Sequence, residues 1–278
     1  HTSLHPCGIV LSDLSLLERT PVQPSAQEFP MSQFDKDDVE HMGLLKLDVL
    51  GVRMQSALAY AIKQVHKVHG PSAHGTDHTG FINLETVPRD DAKTFELIQS
   101  TKTLGCFQIE SPGQRELIGK FAPVSFGDLI TDISLFRPGP VKSDMITPFL
   151  RARQGWAMTD YIHEDLAEIL AETSGVVVFH EQVMRILAVM TDCTLEAADL
   201  IRRRMGDYEQ LDEIREWFYL ALRKKKYELV VIEQVWEVLR AFASFGFCKA
   251  HAAAFALPTY QSAWFKTHHL AAFIAGVL

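Results

Sequence analysis

The sequence predicts an α+β protein in which a short β-rich segment precedes a larger helical domain. Two observations carry this prediction. Apolar and polar residues alternate along residues 43–50, as expected for a strand. From residue 52 onward the apolar residues recur at helical spacing, and after residue 80 the chain is mainly of helical pattern. We therefore expect a β-rich domain over 1–52 and a helical domain over 53–278.

Length and composition are those of a folded protein. The chain has 278 residues, of which 47% are apolar and 22% charged, which is enough for a core without disulfides. Its 27 basic against 35 acidic residues give a net charge of −8. This balance excludes a globally basic nucleic-acid-binding protein, but it allows a local basic groove. The widely spaced cysteines are typical of reduced thiols in the cytosol.

No stretch of the sequence predicts insertion into a membrane. No signal-peptide pattern opens the chain. The most apolar stretch, 250–265, contains His251 and Pro258 and is too short to span a bilayer. We expect a cytoplasmic protein without a membrane partner. The chain begins with His1 rather than Met and ends in an apolar run, so both ends look cut from something longer.

The β-rich segment is predicted from three short runs between prolines. Strand-like patterns occupy residues 8–12, 31–34 and 43–50. Alternate residues of a strand share a face. In the last run the apolar residues 45, 47 and 49 therefore lie on one side, and Lys46 and Asp48 lie on the other.

The helical domain opens with an amphipathic pattern over residues 52–68, followed by a loop near 69–80 that is rich in Gly, Pro, Ser and His. Ser111 followed by Pro112 and, two residues later, Gln114 is typical of a helix start. Residues 137–140 form a rigid break, since each proline fixes φ and lacks a donor. Further helices are expected near 125–135, 143–154, 163–172, 181–191, 195–205, 209–226, 229–244 and 259–276.

Lys46 and Asp48 are the first candidates for chemistry. An aspartate at a strand end, beside other carboxylates, can hold divalent cations for phosphoryl transfer. The alternative is a surface salt pair between the same two residues, and their spacing alone favours that interpretation. The acidic run at 35–38 likewise allows a metal loop, although aspartates also favour the start of a helix.

Basic residues form the second set of candidates. Arg202, Arg203 and Arg204 follow an apolar stripe on one predicted helix. The planar guanidinium of arginine matches phosphate oxygens, but a charge cluster at a helix end is the alternative interpretation. Arg137 begins a further basic band that continues to residue 153. Lys249 and His251 cap a predicted helix or contact phosphate. The sequence contains no P-loop, dinucleotide-binding fingerprint or nucleophile elbow.

The order of motifs along the chain resembles that of the C-family bacterial DNA polymerases, the alpha subunits of DNA polymerase III. The resemblance covers essentially the whole chain, and nine motifs in series make it specific. They are Gln33-Phe-Asp-Lys-Asp-Asp38, Gly43-Leu-Leu-Lys-Leu-Asp48, Leu50-Gly-Val-Arg53, Gly105-Cys-Phe-Gln-Ile-Glu-Ser111, Leu135-Phe-Arg-Pro-Gly-Pro140, His180-Glu-Gln-Val-Met184, Ala198-Asp-Leu-Ile-Arg-Arg203, Met205-Gly206 and Phe245-Gly-Phe-Cys-Lys-Ala-His251.

The resemblance implies a palm domain of the polymerase-beta-like nucleotidyltransferase type over residues 1–52. In this family three aspartates hold two magnesium ions. Asp48 matches the third of them, and Lys46 matches the active-site lysine beside it. The first two aspartates belong to an upstream segment that this chain does not contain. We therefore expect the isolated chain to incorporate no nucleotide.

The resemblance also implies a fingers domain over residues 53–278 that closes over the incoming nucleotide. Arg202 and Arg203 match the arginine pair that neutralises the triphosphate, and Lys249, His251 and Arg137 match further contacts. One departure concerns residues 207–209, which are Asp-Tyr-Glu where the family has basic residues. The segment between residues 222 and 235 is also shorter than usual. These departures point to a divergent or error-prone member.

The functional interpretation is a palm-and-fingers fragment of a template-directed DNA polymerase. Its implied ligands are primer-template DNA, deoxynucleoside triphosphates and Mg²⁺. The resemblance also implies a sliding clamp and other replisome subunits as partners of the full-length enzyme. The alternative is a non-catalytic helical module that binds nucleic acid or protein, because one aspartate of three cannot build the site.

Overall fold

The computed structural model describes residues 4, 8–49, 52–70, 81–136, 146–243 and 248–278. Contacts within the chain divide it into two compact units, His1–Arg53 and Met54–Leu278. In the described residues the first unit carries the strands, and the second is helical. The α+β class that the sequence predicts is confirmed.

Two antiparallel strand pairs form the first unit. Strand β1 (Gly8–Leu11) pairs with β4 (Leu45–Asp48), and β2 (Val22–Pro24) pairs with β3 (Pro30–Ser32). The strands predicted at 8–12, 31–34 and 43–50 are therefore present with shorter bounds. Prolines end β2 and begin β3, where a two-stranded ladder tolerates a missing N–H donor.

One face of the β1–β4 ladder is apolar and exposed. In its register Ile9 lies opposite Leu47 and Leu11 lies opposite Leu45. These four side chains are 41–59% exposed. The sequence pattern predicted that residues 45 and 47 share one face of the strand, and the register agrees. An isolated pair of strands does not cover its own apolar face, and such a face is typical of a surface that packs on something further.

The acidic run at 35–38 begins a helix. Helix α1 (Leu16–Arg19) is a single turn, and α2 (Lys36–His41) follows β3. The backbone N–H of Asp38 donates to Asp35 Oδ1 at 2.9 Å, and that of Asp35 donates to Asp38 Oδ2 at 3.3 Å. These reciprocal bonds satisfy donors at the helix start. The helical alternative for this run is the one that the structure shows.

Helices form most of the described part of the second unit, together with single 3₁₀ turns at Glu164–Leu166, Ala171–Thr173 and Tyr208–Gln210. The helices of its described residues are α3 (Arg53–His69), α4 (Ala92–Gln99), α5 (Pro112–Phe121), α6 (Phe126–Leu135), α7 (Ile146–Arg153), α8 (Ala167–Leu170), α9 (His180–Thr191), α10 (Leu195–Arg204), α11 (Leu211–Lys224), α12 (Leu229–Ala243), α13 (Lys249–His268) and α14 (Leu270–Val277).

Separate groups of buried side chains hold these helices. One group surrounds Tyr260 and Trp264 of α13 and includes residues of α3, α4 and α6. Another surrounds Phe218 of α11 and includes residues of α9, α10 and α12. A third joins Phe121 and Phe149 to Phe179, which precedes α9. The helices that carry the basic candidates therefore rest on well-packed cores.

Two helix predictions differ from the structure. Helix α13 begins at Lys249 and ends at His268, whereas the sequence predicted one helix over 259–276. Pro258 lies inside α13 and is buried with its neighbours, so packing outweighs the lost backbone hydrogen bond. The segment predicted as a helix at 163–172 consists of the single turn α8 between two 3₁₀ turns.

The loop expected near 69–80 lies mostly outside the described residues, which end at Gly70 and resume at Phe81.

Asp91 links α4 to α13, and its replacement by alanine is expected to destabilise the second unit. Its carboxylate accepts from Thr94 N at 2.9 Å and lies 2.9 Å from His268 Nε2. Loss of such a cap costs about 1–2 kcal/mol. Thermal melts of Asp91→Ala should show this loss, whereas Asp90→Ala, at the exposed neighbouring position, should melt like the wild type.

The contact between Asp91 and His268 predicts that the stability of the second unit depends on pH. Burial opposes ionisation of Asp91, but hydrogen bonds from Thr94 and His268 outweigh it and lower the pKa of this carboxyl. A lowered pKa in the folded state stabilises the fold above the ordinary aspartate value of 3.8. The contribution is lost as the pH falls through the folded-state pKa. The difference between wild type and Asp91→Ala should therefore shrink in strongly acidic buffer, and a constant difference would contradict this account.

Candidate functional site

Arg202 and Arg203 lie in the last turn of α10 and share one carboxylate. Arg202 donates from Nε and Nη2 to Asp199 Oδ1 at 3.0 and 2.8 Å. Arg203 donates from Nε to Asp199 Oδ2 at 3.0 Å. The spacings of three and four residues bring the side chains to one face of the helix. The sequence therefore builds a pair of adjacent guanidinium groups around a single acceptor.

The packing of α10 explains on which side of the helix these arginines lie. Thr194 caps the helix by accepting from Ala197 N at 3.2 Å. Ala198 and Met205 are buried, and Ile201 is half-buried against the same core. Leu195 was expected in this stripe, but at the first position of the helix it is 57% exposed. The buried face leaves the arginines on the remaining circumference.

Arg204 has a different environment from its two neighbours in sequence. It donates from Nε to Gln210 Oε1 at 2.6 Å and from Nη2 to Glu213 Oε2 at 3.0 Å. Both partners follow α10 in the chain. Arg204 thus contributes to the connection between α10 and α11, and the basic triplet divides into a pair and a separate residue.

Lys249 is the first residue of α13, and its ammonium is paired. Its Nζ donates to Glu172 Oε2 and lies 5.3 Å from the centroid of the Phe179 ring. Its backbone N–H lies 3.0 Å from both carboxylate oxygens of Glu181. A carboxylate at a helix N-terminus satisfies free donors and interacts well with the helix dipole. These contacts fix the start of α13 against the start of α9.

His180 lies at the start of α9, beside the carboxylate that Lys249 contacts. It is the first residue of α9, directly before Glu181. Burial lowers the pKa of His180, and the positive charge of Arg202 lowers it further, against the opposing charges of Glu181 and Asp199. A neutral imidazole is therefore favoured at pH 7. Arg202 thus acts on the residue that precedes Glu181, and Lys249 contacts Glu181 itself. We call Arg202, Arg203 and Lys249 the basic cluster, although they reach the start of α9 through different neighbours.

His251 lies in the first turn of the helix that Lys249 begins. Its ring is half-buried and contacts Phe255 edge to face, with centroids 4.6 Å apart. This contact sets its orientation beside the basic cluster. Arg137 lies outside the described residues. Arg153, from the same basic band, pairs with Asp128 at 2.7 Å and stacks over Phe121, so it has a structural role.

Lys46 and Asp48 belong to the first unit. Both lie in β4, where Lys46 is opposite Val10 and Asp48 is opposite Gly8 in the register. Lys46 is exposed. Within the residues that the structure describes, no three His, Cys, Asp or Glu side chains form a group that could hold a metal ion. The described residues do not by themselves make a metal site.

Sequence reasoning missed the carboxylates that partner the basic cluster. Asp199 could have been found, because it precedes the arginines at the spacing of helical ion pairs. Glu172 lies 77 residues from Lys249, so no local pattern signals this contact. Glu181 is 68 residues away. The fold is needed to bring these groups together.

Among the helices of the described residues, none is long and apolar enough to cross a membrane.

Comparison with protein families gives two matches that follow each other along the chain. Residues 54–226 match the finger domain of the bacterial DNA polymerase III alpha subunit. Residues 1–51 match the domain described as the bacterial DNA polymerase III alpha NTPase domain. The basic residues Arg202 and Arg203 lie inside the first match, and Lys46 and Asp48 lie inside the second.

Curated relatives carry two names. The chain is 36% identical over 282 residues to an error-prone DNA polymerase of Pseudomonas aeruginosa. The aligned region covers 100% of this chain and 27% of that protein. The chain is also 36% identical over 286 residues to a DNA polymerase III subunit alpha of Vibrio cholerae, covering 99% of this chain and 24% of that protein. The chain thus spans about a quarter of the length of these relatives. With the finger-domain match over more than half of its residues, the chain belongs to the bacterial DNA polymerase III alpha subunit family.

Proposed function

We propose that this chain is the palm-and-fingers segment of a template-directed DNA polymerase. In this proposal residues 1–52 form the last part of the palm, and residues 53–278 form the fingers that bind the incoming deoxynucleoside triphosphate and primer-template DNA. The observation that carries the proposal is the pair of adjacent guanidinium groups, Arg202 and Arg203, which share the carboxylate of Asp199 at the end of α10. The family assignment favours this function over a non-catalytic helical module.

The chemistry of the basic cluster suits a triphosphate. Guanidinium groups present parallel N–H donors that match pairs of phosphate oxygens, and an ammonium adds a compact charge. Two arginines on one helix end and a lysine at another helix start can approach a polyanion from two sides. His251 is proposed as an additional contact, and Arg137 is proposed on the resemblance alone.

In the palm part we propose Asp48 as a ligand of Mg²⁺ and Lys46 as a neighbouring positive charge. In this proposal the remaining metal ligands are the upstream aspartates that the family resemblance implies. Among the described residues no group of three possible ligands forms a site. The exposed apolar face of the β1–β4 ladder supports the proposal that this unit packs on further palm residues.

The proposed reaction is attack of a primer 3′-hydroxyl on the α-phosphate of the nucleotide, with release of pyrophosphate. The polymerase would act in the cytoplasm, with a sliding clamp and other replisome subunits as partners. Primer-template binding should be largely electrostatic and therefore weaken as salt increases.

A nucleotide titration of the 278-residue chain tests the fingers function. We expect a deoxynucleoside triphosphate to bind at least about tenfold more tightly than the corresponding nucleoside, because charge-assisted bonds to phosphate carry the affinity. The preference should fall as salt screens the charges. Arg223→Ala removes one positive charge at the end of a different helix, as Arg202→Ala does at the end of α10. It should leave nucleotide binding unchanged. Equal binding of nucleoside and triphosphate would contradict the proposal.

A further inference from the structure

Asp199 binds both arginines of the basic cluster, although its own negative charge would repel a phosphate. Its two oxygens accept three hydrogen bonds, two from Arg202 and one from Arg203. The Asp199 side chain is 31% exposed and that of Arg202 is 15% exposed. The side chain of Arg203 is 54% exposed. The contact of Asp199 with Arg202 is therefore partly withdrawn from solvent, which limits the freedom of these two side chains.

The contact with Asp199 does not use all the donors of Arg202. A guanidinium has five N–H donors, and Arg202 gives Asp199 only two of them, from Nε and Nη2. The edge of the group that contains Nη1 is not used by this contact. The carboxylate of Asp199 thus occupies one edge of the Arg202 guanidinium group, and the edge with Nη1 can bind an incoming anion.

Charge explains why two adjacent guanidinium groups need such a residue. Side by side, the two positive charges repel each other, and long side chains lose much rotamer freedom when they are fixed. One shared carboxylate offsets part of the repulsion and selects one rotamer for each arginine. The neutral form of His180, favoured beside Arg202, adds no further positive charge to this arrangement.

A purely structural role explains these contacts less well. Ion pairs three or four residues apart on one helix contribute modestly to stability, although partial burial strengthens the pair of Arg202 with Asp199. Helix α10 is already anchored by Ala198 in the core and by its Thr194 cap. Removing the carboxylate should therefore affect the fold little, and its effect should fall on the arginines.

We propose that Asp199 is a positioning residue for nucleotide recognition, which aligns Arg202 and Arg203 for the triphosphate without contacting the nucleotide itself. This inference rests on the proposed function of the basic cluster. A nucleotide that binds to guanidinium groups already held in position loses less conformational entropy than one that must order free side chains.

The test is steady-state incorporation against nucleotide concentration by the full-length polymerase that contains this chain. In Asp199→Asn the KM for the nucleotide should rise at least fivefold, while kcat stays within twofold of the wild type. Asp199→Glu should restore much of the loss, because a longer carboxylate still reaches residues three and four positions later. Glu196→Gln removes the same charge from the same helix, where Glu196 is exposed in the first turn, and should change neither constant.

The other outcomes overturn the inference. A lower KM in Asp199→Asn would mean that the carboxylate competes with phosphate for the arginines. An unchanged KM would mean that the pair is only a helix-surface contact. Arg202→Ala, measured alongside, separates this inference from the function it rests on. If Arg202→Ala raises the KM and Asp199→Asn does not, only the positioning role fails, whereas no effect of Arg202→Ala removes the proposed nucleotide site itself.

Discussion

Asp48→Asn is expected to abolish nucleotide incorporation by the full-length polymerase while leaving its affinity for primer-template DNA nearly intact. The proposed role of this carboxylate is to hold a divalent cation, and a neutral amide is a much weaker ligand. Metal ions contribute several kcal/mol of transition-state stabilisation, so the loss should be about a thousandfold or more. Single-turnover primer extension measures the rate, and fluorescence anisotropy of labelled DNA measures the affinity.

Glu18→Gln provides the control for Asp48→Asn. Glu18 is an exposed acid of α1 in the same unit, so its replacement removes one negative charge from that unit. Its activity should match that of the wild type. Near wild-type turnover of Asp48→Asn would remove Asp48 from the catalytic centre and leave the pair with Lys46 as a surface feature of β4.

Periodicity and capping predicted much of the fold. The alternation at 43–50 and the stripe at 52–68 correspond to β4 and α3, because the pleat and the helical repeat are properties of the local chain. Ser111 caps α5 as predicted, with its hydroxyl accepting from Gln114 N at 3.3 Å. These features depend on residues close in sequence, so the sequence alone specifies them.

Features that depend on distant contacts were not predictable in this way. Helix α13 continues through Pro258 because Tyr260 and Trp264 are buried in a core that other helices complete. The exposed face of the β1–β4 ladder follows from strand number, which the alternation does not reveal. Helix α4, which the sequence reading omitted, is fixed by Asp91 contacts to α13.

The candidate site shows the same division. The basic residues themselves are visible as Arg-Arg and as Lys249 within a motif of the family resemblance. Their partners Glu172 and Glu181 are far away in the sequence, and only the fold brings them to the start of α13. The division of the basic triplet into a pair and Arg204 also required the structure.

Arg202→Ala and Arg203→Ala should each weaken nucleotide binding by about 1.5–3 kcal/mol, the range for hydrogen bonds that involve charged groups. This range corresponds to about 10- to 150-fold in the apparent KM for the nucleotide. Lysine at either position should restore only part of the affinity, because an ammonium cannot reproduce the bidentate fork. Thermal melts should barely change, since the core under α10 does not involve these charges.

The central claim is that the arginine pair at the end of α10 binds the nucleotide triphosphate, and one comparison tests it most directly. The apparent KM for the nucleotide is measured for Arg202→Ala, Arg203→Ala and Arg204→Ala in the full-length polymerase. Arg204 pairs with Gln210 and Glu213, so it is a matched control from the same triplet. The account predicts a rise of at least about tenfold for the first two variants and no change for the third. An unchanged KM in Arg202→Ala and Arg203→Ala, or an equal rise in all three, would contradict it.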